Sequence, residues 1–579
     1  MKYKLTNSDE HSKVNYKTLL IILRHEKKSL SVAFFNIVIN AVLNMMAPYL
    51  IGVAVNDYMQ TKHYHGVIVV AFSLLVIYII VALTGVIQTK VMGGVGQRVL
   101  FDIRNRLFTK LQDLPVDFFN QNKSGDLISR INNDTNKLNE FFSQSLIQFM
   151  NSIFFMGGAV VALLTLNLPL GACALAPAIV LLIFTRLTSR WVKYNNRKAM
   201  QTLGSLSAEI QENLNNFKVI VAFNRRDFFR KKFDDINSSN YRISVKVGLI
   251  NGMYSPIYGI CSNIGQLVLL SLGIYMILQG SFTVGFLISF ITYVGYFYDP
   301  LRRMAVLWAT FQTAMAAWDR IWEILSLESD LPVTKEDSCA DSSLLSFHDV
   351  TFSYPDGSEV LHHINIQLKP GKTYAFVGPT GGGKTTTASL MARLYDPTEG
   401  NIYFQGKDIR SYTSSERADK IGFILQDPIL FQGTVLENLM YGNEILQHLT
   451  PEDIEQHIAQ LGLKKLLDRF DSGLQTEIRT NETISLGQKQ LIAFMRAVLR
   501  RPQLLILDEA TANIDTVSEQ LLEEILNHLP HDTTKVIIAH RLNTIENSDD
   551  IFFVNSGGIV KAGSSAEAYD MLQNGARLS

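Results

Sequence analysis

Cysteine is scarce in this sequence, and its scarcity excludes two kinds of protein architecture. The 579 residues contain three cysteines, Cys173, Cys261 and Cys339, which lie far apart in the chain. Such spacing fits neither a disulfide framework nor a structural metal site. The formal net charge is +0, so the charge balance gives no indication of a nucleic-acid partner. We therefore expect no disulfide-stapled domain, no cysteine-based metal site and no nucleic acid.

Charged side chains are also missing from the interior of six long apolar segments in the N-terminal half. Each segment is close to the ~20 residues that a helix needs to cross a bilayer core. A helix is the expected form because it satisfies its own backbone groups in lipid. Proton-relay transporters usually carry carboxylates within their spans, which argues against an ion-coupled transporter here. The predicted spans are 31–55, 66–89, 146–166, 168–185, 248–278 and 284–298, with a tight turn at 167–169.

Lysine and arginine are distributed unevenly among the predicted loops. The N-terminal segment and the long stretches after spans two and four are basic, whereas the short opposite loops contain Lys62 as their only basic residue. The positive-inside rule therefore predicts a multi-pass protein of the cytoplasmic (inner) membrane with both termini in the cytoplasm. The basic N-terminal segment lacks an apolar core with a cleavage site, so we expect no cleavable signal peptide. The two long basic stretches should form helices that project beyond the bilayer.

Polar residues within the spans allow two interpretations. Asn36, Asn40 and Asn44 recur every four residues and share one helix face. They could form a substrate-facing stripe, or they could hydrogen-bond between packed helices. The same choice, between a substrate cavity and helix packing, applies to Tyr254 with Tyr258 and to Tyr293 with Tyr296.

The sequence changes character after the last span. Positions 326–343 are polar and acidic, which is typical of a linker, and short apolar segments then alternate with helical ones. That alternation predicts an α/β domain. We therefore predict a transmembrane domain over 1–325, a linker over 326–343 and an α/β domain over 344–579.

A complete phosphate-binding loop motif, GxxxxGK[ST], follows an apolar strand-like segment and precedes a helical one. Glycines allow backbone amides to surround phosphate oxygens, and the helix N-terminus favours negative charge. Lys384 should reach the β- and γ-phosphates of ATP, and Thr385 should offer its hydroxyl to Mg²⁺. The predicted loop comprises Gly378, Pro379, Thr380, Gly381, Gly382, Gly383, Lys384, Thr385 and Thr386.

A second motif places two carboxylates after an apolar run. The four aliphatic residues 504–507 predict a strand buried on both faces, and Asp508 and Glu509 follow them. Asp508 is suited to hold Mg²⁺, and Glu509 is suited to act as the general base that activates water. Together with the phosphate loop, the pair predicts an ATP-hydrolysing domain of the P-loop class.

Between these motifs, the segment Ile484-Ser485-Leu486-Gly487-Gln488 resembles the signature of ATP-binding cassette (ABC) proteins, and the resemblance extends over essentially the whole chain. The stretch from Phe118 and Phe119 through 125–130, with Asn133 and Asp134, is similar to the first cytoplasmic loop of ABC exporters, and short coupling helices are implied near it and around 212–218. The resemblance implies a six-helix exporter-type domain with long cytoplasmic extensions and an ABC ATP-binding domain.

The resemblance also implies further roles at the ATP site. Tyr354 would stack on adenine, Gln426 would sense Mg²⁺ and the γ-phosphate, and His540 would contact the γ-phosphate. Asp515 lies in the loop that would cross a dimer interface. Because family members bind ATP between two ATP-binding domains, Ser485, Gly487 and Gln488 would serve the nucleotide of a second half-transporter.

The signature departs from the common pattern LSGGQ at Ile484 and Leu486, and no glycine precedes it over 476–483. These departures resemble the glutamate-bearing chain of heterodimeric exporters, although drift in a homodimer would also produce them. We predict ATP-driven export of a small amphipathic substrate, drug-like or lipid-like, across the lipid bilayer by alternating access. Export of peptide, lipid flipping, or an ATP-gated or regulatory role are the alternatives.

Overall fold

The computed structural model describes two compact units of the chain. Among the described residues, one unit comprises 16–112 together with 125–326, and the other comprises 113–124 and the chain from 327 onward. The described residues are 16–59, 61–327, 331, 333–334, 338, 342–354, 357–443, 446–479, 484–508, 520–522, 524–526, 529–538 and 547–573.

The first unit is built from long helices. Short π-helical segments follow or interrupt them at Ala54–Met59, Arg130–Asp134 and Phe141–Ser145. The helices are α1 (Tyr16–His25), α2 (Lys27–Val53), α3 (Tyr64–Gln112), α5 (Ser124–Ser129), α6 (Thr135–Glu140), α7 (Leu146–Leu166), α8 (Leu168–Asn215), α9 (Phe217–Ala222), α10 (Arg226–Leu278) and α11 (Val284–Leu325); α4 belongs to the second unit.

Six of the described helical stretches are long and apolar enough to cross a membrane, and they contain the six predicted spans. Three of them continue well past the predicted apolar segments, to Gln112, Asn215 and Leu325. The turn between α7 and α8 is a single residue, Asn167, whose side chain caps α8 by accepting a hydrogen bond from the Leu170 amide. The multi-pass architecture predicted from hydropathy is therefore confirmed.

Small residues and short polar side chains hold the spans together. At the crossing of α2 and α11, a Cβ on Gly285 would lie 2.1 Å from the Gly52 carbonyl oxygen, so only glycine permits this approach. One turn away, the fully buried Ser289 hydroxyl donates to the Pro48 carbonyl at 2.6 Å. Pro48 lies inside α2, and the bond from Ser289 to its carbonyl ties α11 to this turn of α2.

The asparagine and tyrosine residues mostly make packing contacts within this unit. Asn40 donates from α2 to the Val81 carbonyl and the Thr84 hydroxyl of α3, both at 3.0 Å. Asn36 donates within its own helix, to the Val32 carbonyl. The hydroxyls of Tyr254, Tyr258 and Tyr293 bond to Thr188, Thr185 and the Met45 carbonyl on neighbouring helices.

A buried arginine joins the segment after α4 to the end of α11. Arg130 is 1% exposed, and it bonds to Asp126, to Glu323 at 2.6 Å and to the Arg320 carbonyl. Arg320 in turn bonds to Asp134. The motif 125–134 that resembles the exporter loop therefore has a structural role, because it ties two segments together that lie far apart in sequence.

The second unit contains twelve described strands. A six-stranded sheet has the order β12-β11-β3-β10-β9-β6, parallel except for the edge strand β12, and a four-stranded antiparallel sheet has the order β2-β1-β4-β5. The strands are β1 (Leu345–Ser353), β2 (Glu359–Leu368), β3 (Thr373–Val377), β4 (Glu399–Phe404), β5 (Lys407–Asp408), β6 (Ile421–Ile424), β7 (Gly433–Thr434), β8 (Glu477–Ile478), β9 (Leu504–Asp508), β10 (Thr534–Ile538), β11 (Asp550–Asn555) and β12 (Gly558–Ala562).

Helices cover the parallel sheet, as expected for strands that are buried on both faces. All five residues of β9 are buried, which agrees with the prediction for this segment. The helices of this unit are α4 (Val116–Gln121), α12 (Lys384–Met391), α13 (Ser414–Lys420), α14 (Val435–Met440), α15 (Pro451–Gln460), α16 (Lys464–Leu467), α17 (Leu486–Val498) and α18 (Ser565–Gln573).

Candidate functional site

The phosphate loop connects β3 to α12 and follows the carboxyl end of a central parallel strand, where α/β sheets bind ligands. Gly378 has φ +149°, and a Cβ there would lie 1.9 Å from the Val554 carbonyl oxygen. A side chain at this position would therefore displace the loop from β11. Gly383, in the left-handed region at φ +111°, precedes the first turn of α12.

Lys384 is packed against the phosphate loop. Its side chain is buried, and its ammonium donates to the carbonyls of Gly378 at 2.8 Å and Pro379 at 3.0 Å. A buried ammonium is costly unless it is paired, and these carbonyls supply partners for it. The loop thus presents a positive charge in a fixed position next to its backbone amides, which is the arrangement that phosphate binding requires.

Two oxygen ligands suited to a hard cation meet beside the loop. The Thr385 hydroxyl lies 3.3 Å from Asp508 Oδ1, although the two residues are 123 positions apart. Asp508 is 2% exposed and ends β9. In the parallel pair of β6 and β9, Ile424 lies opposite Leu507, so Gln426 follows at the same edge of the sheet. Gln426 is exposed there.

Among the described residues, no group of three or more His, Cys, Asp or Glu side chains could hold a metal by itself. Mg²⁺ is usually held by one or two carboxylates together with water and substrate phosphates. The hydroxyl of Thr385 and the carboxylate of Asp508 fit such a site. Glu509, Asp515 and His540 lie outside the described residues.

An aromatic cluster lies next to the phosphate loop. The Tyr354 hydroxyl is 3.0 Å from the Thr386 hydroxyl at the start of α12. The Tyr354 ring meets the rings of Phe352 and Tyr395 edge-on, with centroids 4.9 and 5.4 Å away. These contacts fix the ring of Tyr354 beside the loop. A flat, rigid ring is suited to pack against a flat base.

Comparison with known proteins gives the same picture. Residues 30–301 match the family model for the ABC transporter transmembrane region, and residues 361–512 match the model for ABC transporter. The chain is 33% identical to the uncharacterized ABC transporter ATP-binding protein YfiC of Bacillus subtilis over 94% of this chain and 90% of the relative.

Two further relatives have names that mention cargo. A fatty acid ABC transporter ATP-binding/permease protein of Mycobacterium bovis is 31% identical over 85% of this chain and 78% of its own length. A multidrug resistance ABC transporter ATP-binding and permease protein of Lactococcus lactis is 30% identical over 92% and 89%.

The chain belongs to the ABC transporter family. It is an exporter-type half-transporter, with six apolar helices followed by an ABC ATP-binding domain. It uses ATP as an ATPase coupled to transport, and it works as a dimer in the lipid bilayer.

The ABC signature of this transporter lies at the start of α17. Ser485 is the N-cap, and its hydroxyl accepts from the Gln488 amide while the Gln488 side chain accepts from the Ser485 amide. The Gln488 side-chain amide also donates to the Arg469 carbonyl at 3.0 Å. Leu486 is 37% exposed. The polar groups of the signature are thus occupied within the chain, and an apolar side chain lies exposed among them.

Sequence motifs did not identify Asn120 and Tyr395. In the second unit, the Asn120 amide of α4 donates to the Tyr395 hydroxyl at 2.8 Å. Burial, together with the neighbouring Tyr354, raises the pKa of the Tyr395 phenol, which therefore stays protonated at neutral pH. Tyr395 connects α4, a short helix in the predicted coupling region, to the aromatic cluster beside the phosphate loop. No sequence signal marks it, because the contact joins residues 275 positions apart.

Proposed function

We propose that this transporter supplies the catalytic ATP site of a heterodimeric exporter in the cytoplasmic membrane. Both termini and the ATP-binding domain are then cytoplasmic, as the positive-inside pattern indicates. The proposed limits are a transmembrane domain over 1–325, a linker over 326–343 and the ATP-binding domain over 344–579. The convergence of Lys384, Thr385 and Asp508 at one edge of the sheet carries the proposal.

ATP binding follows from the chemistry of this edge. The loop amides and the Lys384 ammonium bind the phosphates, exchanging the loop carbonyls for phosphate oxygens as partners of the lysine. Tyr354 packs on adenine. Thr385 and Asp508, with Gln426 nearby, would hold Mg²⁺, which neutralises charge on the β- and γ-phosphates when bound.

Hydrolysis needs a base and a sensor for the γ-phosphate. Glu509 directly follows Asp508, the last residue of β9, in sequence. We assign Glu509 as the general base for water and His540 as the γ-phosphate contact. Closure of two ATP-binding domains around ATP would open the substrate path outward, and hydrolysis would reset it.

The signature supports an unequal pair. In an ABC dimer, Ser485, Gly487 and Gln488 serve the partner's nucleotide, whereas Asp515 lies at the dimer interface. The exposed Leu486 occupies a position where the common signature has glycine, and its bulk reduces the approach of a phosphate to the backbone there. The chain's own Lys384, Asp508, Glu509 and His540 retain every polar group that hydrolysis requires. We therefore propose a partner half-transporter whose own nucleotide is hydrolysed slowly.

The proposed substrate is a small amphipathic molecule. The relatives named for fatty acids and for multidrug resistance support this class, because both names describe compounds that partition into membranes. Family likeness alone does not specify a substrate. Side chains of the membrane unit must determine which amphipathic compound the transporter selects.

ATP-dependent uptake of fluorescent amphipaths into inside-out vesicles tests the proposal. Vesicles with the assembled transporter should accumulate at least one such dye when given Mg²⁺ and ATP, and vesicles carrying Lys384→Ala should not. Co-purification from the native host tests the pair, since a second half-transporter should elute in equal amount. An active dimer of this chain alone would contradict the heterodimer.

A further inference from the structure

Two cavities lie along the same three helices of the membrane unit. An apolar cavity of about 590 Å³ lies among α2, α7 and α11. A smaller cavity of about 290 Å³, whose lining includes charged and amide side chains beside apolar ones, lies among the same helices. We call them the tail cavity and the head cavity. Neighbouring residues line different cavities, Met45 and Asn44 on α2 and Phe154 and Phe155 on α7.

The two cavities follow one another along α7 and α11, and on α2 the head-cavity residue Asn44 lies within the tail-cavity range from Val38 to Tyr49. On α7 the head cavity uses residues between Gln148 and Phe155, and the tail cavity uses residues between Phe154 and Leu166. On α11 Tyr293 lines the tail cavity, and the head-cavity residues begin three positions later at Tyr296. In the predicted topology, the head cavity is nearer the cytoplasm. A molecule lying in both would therefore have its polar end toward the cytoplasm.

The tail cavity has the shape and chemistry for an alkyl chain. Its α2 lining runs from Val38 to Tyr49, which is about 16 Å at the ~1.5 Å rise per residue of a helix. Its α7 lining includes small residues, Gly158 and Ala162, that leave room between the helices. Of the two tyrosines that line it, Tyr49 and Tyr293, the phenol of Tyr293 is already bonded to the Met45 carbonyl.

The head cavity combines a carboxylate, a guanidinium and amides. Asp299 and Arg303 lie four positions apart on α11, on one helix face, at a spacing that favours an ion pair. Both residues are exposed, and within the described part of the chain neither takes part in an ion pair or a side-chain hydrogen bond. The Asn151 side-chain oxygen is buried without a hydrogen-bond partner among the described residues. Such a buried polar atom is costly unless something binds it.

We propose that these cavities form one binding site for a single-chain amphipath with a zwitterionic head group. The cationic end of the head faces Asp299 and the partly negative side-chain oxygens of Asn44 and Asn151, and its anionic end faces Arg303. The alkyl chain occupies the tail cavity. A purely anionic or purely cationic head would leave one of the two charges on α11 without a partner. The inference rests on the proposed export of amphipathic compounds and specifies the substrate class.

Equilibrium binding to the assembled transporter, measured without ATP, tests this site. The transporter is placed in nanodiscs of phosphatidylglycerol, so that no zwitterionic lipid competes. Three probes share a dodecyl chain and differ in the head: phosphocholine, sulfate and trimethylammonium. Each probe also partitions into lipid. The affinity of a given probe is therefore compared between transporter variants and not with the affinity of another probe.

The head variants should change binding selectively. Arg303→Ala should weaken binding of the phosphocholine and sulfate probes about tenfold, in line with a lost charged hydrogen bond, and should leave or improve trimethylammonium binding. Asp299→Asn should weaken the phosphocholine and trimethylammonium probes instead. Arg302→Ala is the matched control, because this neighbouring arginine does not line the cavity, and it should change every probe less than about twofold.

The tail variant and a photoreactive probe locate the alkyl chain of the bound amphipath. Ala162→Phe should fill the tail cavity and weaken all three probes equally. A phosphocholine probe with a photoreactive chain should crosslink to 38–49 and 154–166. Equal effects of Arg303→Ala and Arg302→Ala, or crosslinks confined to other helices, would overturn the proposed site. ATP hydrolysis measured on the same samples reports separately on the proposed function, because these variants leave the ATP site unchanged.

Discussion

The phosphate-loop face and the signature face of the ATP-binding domain differ in how their polar groups are used. On the phosphate-loop face, Lys384 is bonded to loop carbonyls that a phosphate can replace, and Thr385 lies beside Asp508. On the signature face, Ser485 and Gln488 satisfy one another in a helix cap. On the phosphate-loop face the polar groups can therefore bind a ligand by exchanging partners, whereas on the signature face Ser485 and Gln488 bond to each other and stabilise the start of α17.

This difference supports the role in the dimer that we propose for the chain. A capping box stabilises the start of α17 whether or not a nucleotide is present. A buried lysine bonded to loop carbonyls, by contrast, gains a stronger partner when phosphate binds. We therefore propose that the chain contributes more to the nucleotide in its own phosphate loop than to that of its partner.

The largest expected effect is at Lys384. Lys384→Ala removes the positive charge from the phosphate-loop face and should lower ATP turnover of the assembled transporter about a hundredfold or more, as loss of a transition-state charge contact does. The fold should survive, since the freed carbonyls can bond to water. Steady-state phosphate release measures the effect, and a loss below tenfold would show that this face is not the catalytic one.

Tyr354 should give the next effect. Tyr354→Ala removes a stacking contact worth ~1–3 kcal/mol and should raise the KM for ATP about tenfold with little change in kcat. Tyr354→Phe is the matched control, because it keeps the ring and loses only the bond to Thr386; its KM should rise at most threefold. If the two variants raise the KM for ATP equally, the hydroxyl of Tyr354 and not its ring contributes to ATP binding.

The bond between Asn120 and Tyr395 should have a smaller effect, on coupling between ATP hydrolysis and transport. Asn120→Ala and Tyr395→Phe each remove one partner of a hydrogen bond worth about 1 kcal/mol. Both should lower the ratio of substrate transported to ATP hydrolysed by a factor of a few, and the double variant should be no worse than either single one. Additive losses in that double-mutant cycle would contradict a direct link.

Ser485 should give the smallest effect on turnover. Ser485→Ala removes the N-cap of α17, at a cost of ~0.5–2 kcal/mol in stability, but in a heterodimer it affects only the slowly hydrolysing site. ATP turnover should fall less than about threefold, with a small decrease in Tm. In a homodimer the same residue would serve the catalytic site, and turnover would fall far more.

Local sequence patterns predicted the parts of the fold that depend on local physics. Apolar runs predicted the spans and the buried strand β9, and glycine and lysine spacing predicted the loop before α12. The two motifs assigned both Thr385 and Asp508 to Mg²⁺ and so implied that they meet, although Thr385 lies in α12 and Asp508 ends β9. Contacts such as Arg130 with Glu323 or Asn120 with Tyr395 could not be predicted, because nothing in either local segment specifies its partner.

The membrane unit shows the same limit for the asparagine stripe. Helical spacing correctly placed Asn36, Asn40 and Asn44 on one helix. Their different partners, however, depend on which helices pack beside α2. Asn40 bonds to α3, and Asn44 lines the head cavity. One face of a helix can therefore serve packing at one turn and a cavity at the next.

Turnover of the Glu509→Gln variant in the assembled transporter tests the central assignment most directly. If this chain supplies the catalytic site, removing the base should lower ATP turnover about a hundredfold to ten-thousandfold while ATP still binds. The same replacement at the matching position of the partner chain should have little effect. Near-normal turnover of Glu509→Gln with tight ATP binding would contradict the account.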